Sequence, residues 1–204
     1  PLHGFAVTLL QPASEHGHAA LEELHQQTTN LLAFQPLPTN VFGGQTAFSL
    51  AVSFSGEGRV EPEKAAETIL RHYAMIALVA PGSLGLQVIQ VPVFHGYALS
   101  IAVEFESPVA TQALMRALVG SHIHIVPDVR DFPGNVQAVE ESDMQVLVRP
   151  VVDSAKALSG QHAANEDTRR FWYWVVADNL KLAAQNAIAC AAELNRLRPR
   201  GSVQ

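Results

Sequence analysis

The chain has 204 residues, 48% of them apolar, and a formal net charge of −6 at neutral pH. That length supports one domain with a real core, and the acidic balance argues against a nucleic-acid or anionic-membrane surface. No apolar run reaches the ~18 residues of a membrane helix. No signal peptide is expected, because the first residues lack a basic stretch followed by an apolar core. The single cysteine, Cys190, excludes an internal disulfide and suits a reducing, cytoplasmic setting.

Residues 4–10 form a short apolar run that reads as a buried strand ended by Gln11-Pro12. From His18 to Leu32, Leu21, Leu24, Thr28 and Leu31 recur three or four apart, which predicts an amphipathic helix. Residues 33–45 hold two prolines and Gly43-Gly44 and read as a long loop. Ala47–Phe54 reads as a strand, and Pro62 suits the first turn of a helix running to about Leu78. Two strands follow at 86–93 and 98–105, joined by a tight Pro/Gly segment. Pro108 is expected to open another helix carrying Leu114, Leu118 and Val119 on one face, with short strands at 122–126 and 144–152. Residues 153–169 are small and polar and predict an exposed excursion, with too little chain after it for a second domain. Phe171–Val176 reads as a strand, with its aromatic side chains in a core or interface. Asp178 caps a last helix to about Leu197, whose basic end (Arg196, Arg198, Arg200) suits a solvated helix C-terminus. Strands and helices interspersed without a strict βαβ rhythm predict an α+β domain: a mixed or antiparallel sheet with helices over one face.

Three blocks carry a family resemblance. VIQVPVFHGYALSIAVEFE (88–106) resembles the aspartate-semialdehyde dehydrogenase segment R-V-P-V-x-x-G-H-S followed by a strand ending V-E-F-E. LLQPASEHGHAALEELHQQTTNLL is similar to that family's stretch through S-G-A-G and E-L-x-x-Q-T. FWYWVVADNLKLAAQNAIACAAEL resembles its W-V-V-x-D-N-L-R-K-G block. Together, in order, they imply the family's C-terminal substrate and dimerisation domain, a fold shared with glyceraldehyde-3-phosphate dehydrogenases. The implied domain is 1–176, with 177–204 a helix that in the family packs back on the dinucleotide-binding domain. The family pairs these domains through one sheet, so a homodimer is expected, with no nucleic-acid or membrane partner.

The resemblance also assigns site residues, and several depart from the pattern. Gln11 matches a Gln near the acyl-enzyme, and Ser14 is retained, but Glu15 and His16 replace small residues of the glycine loop. His16 and His18 stand one residue apart without a further ligand set, so they are expected to be solvated rather than metal-binding. Glu67-Thr68 matches E-T-x-K, in which the Glu helps bind substrate, but the Lys position is Leu70. Gln90 stands where an Arg would clamp the substrate carboxylate, and an amide brings no charge to that pair. Tyr97 stands at the catalytic His, and a phenol is a poor base at neutral pH. His95, two residues earlier, is a candidate substitute. Asn179 would touch a nicotinamide if a cofactor domain were present. Gly43-Gly44 lacks the strand-then-helix context of a dinucleotide fingerprint and reads as a turn. Cys190, mid-helix among Ala and Ile, reads as a buried thiol and cannot replace the nucleophilic Cys of the family's upstream half.

This loss resembles the Usg-type paralogues. It implies a dimerisation domain with a degenerate, non-catalytic site, needing no cofactor by itself and NADP only with a dinucleotide-binding domain. The alternative is the C-terminal half of an active NADP-dependent semialdehyde dehydrogenase of amino-acid biosynthesis.

Overall fold

A computed structural model describes residues 2–76, 84–120, 122–138, 143–151 and 167–197. Within them, six strands form one sheet: β1 (Leu2–Gln11), β2 (Leu84–Gln90), β3 (Tyr97–Val109), β4 (Ile123–Ile125), β5 (Met144–Pro150) and β6 (Thr168–Ala177). Their spatial order is β2-β1-β3-β6-β5-β4. β1 and β2 are parallel, as are β4 and β5, and the other neighbours are antiparallel. The helices are α1 (His18–Leu32), α2 (Pro62–Ile76), α3 (Thr111–Leu118), α4 (Asn135–Ala138) and α5 (Asn179–Leu197). This is the expected α+β domain with a mixed sheet.

Strand alternation sorts the two faces. Val146, Val148, Phe171 and Val175 point to one side and bury against Leu114, Met115 and Leu118 of α3. α2 covers the same face further along, where Tyr73 meets Phe5 edge to face at 5.8 Å. On the other face Trp172 and Trp174 are 48% and 37% exposed. Among the described residues, Ala138 and Phe132 cover one end of that face, packing on Ala98, Val176 and Leu10.

α1 anchors the long loop after it through two buried side chains. The Glu23 carboxylate accepts from the N–H groups of Val41 (2.8 Å) and Phe42 (2.9 Å). The Gln27 amide donates to the carbonyls of Pro38 and Gly44, and its oxygen accepts from the N–H groups of Thr46 and Ala47. These bonds satisfy loop backbone that no ladder pairs. They also explain a correction. Ala47–Phe54 is not a strand: its first N–H is taken by Gln27, Phe48 turns to φ 56, and only Ala51 bridges to Gln90.

Other expectations shift. The strands flanking the Pro/Gly segment do not pair with each other, because β1 lies between them. Pro108 does not open a helix. It lies in the register irregularity near the end of β3, where a missing N–H costs no ladder bond, and α3 begins at Thr111. Val119 is exposed. Cys190 is exposed rather than buried, because among the described residues of α5 only Asn179 is buried against the rest of the chain. Asp178 caps α5 as expected, accepting from the N–H groups of Leu180 and Lys181. Arg196 pairs with Glu193, while Arg198 and Arg200 lie outside the described residues, as do residues 153–166 of the expected excursion. No described helix is long and apolar enough to cross a membrane.

Candidate functional site

The site lies at one end of the sheet. Gln11 and Gln90 are register partners at the C-terminal ends of the parallel strands β1 and β2. Tyr97 opens the antiparallel β3 beside them, since Leu10 pairs with Ala98. A short 3-10 turn, Ala13–His16, crosses this end, held by bonds from the N–H groups of Ala13 and Ser14 to the carbonyls of Val93 and Phe94. The linker after β2 must double back there. Gly96 makes this possible at φ 86, and a Cβ on it would lie 2.7 Å from the Asn135 carbonyl oxygen.

Gln90 is fully buried. Its amide nitrogen donates to the carbonyls of Gln11 (3.0 Å) and Val91 (3.2 Å). That orients the amide oxygen toward His16, whose Nε2 is 3.0 Å away. An amide oxygen only accepts, so His16 carries its proton on Nε2. Burial lowers the His16 pKa from 6.5, with the Gln90 bond and the nearby Glu15 charge opposing the shift. His16 is therefore a neutral, half-buried ring and not the solvated side chain expected; its edge also meets Phe42 at 6.3 Å.

Tyr97 is tied in a second way. Its hydroxyl donates to a Glu15 carboxylate oxygen. Burial, then the bond and the charge of Glu15, hold the phenol above its ordinary value. A phenol so placed keeps its proton at neutral pH.

The third link closes the turn onto α5. The Asn179 side-chain oxygen accepts from the Ser14 hydroxyl at 3.1 Å and from the Gly96 N–H at 3.2 Å. The Asn179 amide nitrogen and the Gln11 side-chain oxygen are buried without a partner among the described residues.

Beside these residues opens a cavity of about 480 Å3. Leu9, Gln11, Glu15, His16 and Tyr97 line it from the sheet end and the turn. Arg59, Glu61, Lys64, Ala65, Thr68 and Ile69 line it from α2 and the segment before it. The structure thus brings Gln11 and Tyr97 into one cavity and puts Gln90 behind His16. Glu67 is exposed on α2 and does not line the cavity, and neither does Leu70. His95 is exposed outside it, its carbonyl accepting from Asn135.

Three charged lining residues were not singled out from the sequence: Arg59, Glu61 and Lys64. Lys64 Nζ lies 3.2 Å from Glu61. The available signal was the spacing. Glu61 and Lys64 stand three apart across the first turn of α2, and the next turn brings Thr68 to the same cavity.

Residues 2–182 match the family described as semialdehyde dehydrogenase, dimerisation domain. The chain is 31% identical over 196 residues to aspartate-semialdehyde dehydrogenase 2 of Vibrio cholerae, covering 93% of this chain and 53% of that protein. It is 29% identical over 187 residues to a USG-1 protein homolog of Pseudomonas aeruginosa, covering 89% and 51%. The crystal structure of aspartate semialdehyde dehydrogenase II from Vibrio cholerae superposes with a TM-score of 0.74 at 28% identity, over 97% of this chain and 56% of that one. The chain spans about half the length of these relatives.

Proposed function

We propose, from the premise that this chain belongs to the semialdehyde dehydrogenase dimerisation-domain family, that it pairs subunits of an aspartate-semialdehyde dehydrogenase-like protein and that its own site does not support the dehydrogenase chemistry. The observation that carries this reading is Gln90. A clamp for a substrate carboxylate needs a cation facing the cavity. Here the position holds a neutral amide whose two N–H groups are bound to backbone carbonyls and whose oxygen is bound to His16. Gln90 is fully buried with both N–H groups spent, so it offers a ligand neither charge nor donor. Tyr97 adds to this, since a phenol held protonated by Glu15 cannot serve as the base.

The dinucleotide-binding half that the family resemblance implies would bring NADP, which supplies the hydride chemistry when bound. Of this chain's residues, Asn179 fits a contact to it. Its side-chain oxygen is spent on Ser14 and Gly96, while its buried nitrogen keeps a donor without a partner among the described residues.

The assay that tests this reading is NADP reduction, in the presence of aspartate semialdehyde and phosphate, by this chain joined to the dinucleotide-binding half of an aspartate-semialdehyde dehydrogenase. No turnover above background is expected. Turnover that is lost on Tyr97→Phe would overturn it.

A further inference from the structure

We propose that Arg59 is the anion-recognising side chain of this cavity, taking one small oxyanion, a phosphate or a carboxylate, in a two-pronged guanidinium pair. The inference rests on the reading above, in which position 90 no longer supplies the cation.

Two cations line the cavity, Arg59 and Lys64. Lys64 is already engaged by Glu61 at 3.2 Å. Glu15, the other acid in the lining, accepts from Tyr97. Arg59 has no acidic partner among the described residues, and its exposed side chain lines the cavity. A planar guanidinium presents paired donors that match two oxygens of a carboxylate or phosphate, so it is the natural first contact for such a group. Thr68 adds a hydroxyl to the same lining, and Gln11 adds a side-chain oxygen without a partner among the described residues, which suits a donor group on the ligand.

The position of Arg59 is built. Its backbone N–H donates to the Val41 carbonyl at 2.7 Å, and the Gly43 and Gly56 backbones meet at 3.0 Å beside it. A Cβ on Gly43 would lie 2.7 Å from the Gly58 nitrogen. The loop that Glu23 and Gln27 hold to α1 therefore grips the backbone carrying Arg59.

Calorimetric titration of this chain with inorganic phosphate, and separately with succinate, tests the inference. Saturable binding of at least one, with a Kd on the order of millimolar, is expected. Arg59→Gln should weaken it about tenfold or more, Arg59→Lys should fall between, and Lys64→Gln should cost less than Arg59→Gln. Among the described residues the Arg59 side chain makes no intramolecular bond, so the variants should melt with the wild type. Phosphate should also protect Arg59 of the wild type from phenylglyoxal, read by peptide mass. No saturable binding by the wild type, or an Arg59→Gln variant that titrates like it, would overturn the inference. Dehydrogenase turnover would overturn the non-catalytic reading and leave this one standing.

Discussion

His16 Nε2 and Gln90 Oε1 meet at 3.0 Å across 74 residues of sequence, and this bond sets the Gln90 amide behind His16, out of the cavity lining. It joins two departures from the family pattern, a ring in place of a small loop residue and an amide in place of a guanidinium. Each explains the other. An Arg at 90 would meet the His16 ring, and a small residue at 16 would leave the Gln90 oxygen buried without a partner.

The burial of His16 makes stability depend on pH, with the Gln90 bond opposing the shift. Burial lowers the His16 pKa in the folded chain below 6.5, so the unfolded chain takes up the proton first. By linkage, stability is full above about 6.5 and falls as the pH drops through that value toward the lower folded pKa. His16→Asn should flatten that limb relative to the wild type. Urea midpoints measured across this range for both proteins check it; parallel profiles would show that His16 is not the linked group.

Gln90→Arg alone should not restore a clamp. The position is 0% exposed, its oxygen-side partner is a neutral ring, and a buried unpaired cation costs about 3 kcal/mol or more. Adding His16→Ala should recover part of that loss by opening space, and only the double variant should gain affinity for a carboxylate. Denaturation and succinate titration of the single and double variants test both halves. A lysine at Leu70 should add nothing, since Leu70 does not line the cavity.

Gly43→Ala should destabilise the domain by roughly 1–3 kcal/mol. Gly43 sits at φ 73, and the added Cβ would lie 2.7 Å from the Gly58 nitrogen and 2.8 Å from the Gly56 oxygen, all backbone that cannot swing aside. Because the same clasp carries Arg59, phosphate binding should weaken as well. A Gly43→Ala protein with wild-type melting and wild-type titration would refute both.

Trp172 and Trp174 lie on β6, inside the sheet, yet remain 48% and 37% exposed on the face that the larger helices leave open. A pairing of two copies through this face would bury them, and a two-fold, self-complementary contact is the expected form. Trp172→Glu with Trp174→Glu should convert a dimer into a folded monomer. Light scattering with circular dichroism reads this; a wild-type chain that is monomeric at micromolar concentration would count against it.

The sequence by itself determined the elements with strong local signals. The helical spacing of Leu21, Leu24, Thr28 and Leu31 marked α1, Pro62 marked the start of α2, and Asp178 marked the cap of α5. The three matched blocks determined the family. It also put Gln90 and Tyr97 in question, because their residue types were wrong for a clamp and a base. Tertiary structure alone decided what those side chains do instead. Whether the Gln90 amide faces a ligand or a ring depends on where the Ala13–His16 turn lands, and no local pattern encodes a contact between residues 74 apart. The exposure of Cys190 likewise depends on what packs against α5, not on the Ala and Ile beside it in the chain. Arg59 escaped notice because it lies in no periodic segment. A clasp of glycine backbones brings it to the cavity, and backbone contact of that kind leaves no side-chain pattern to read.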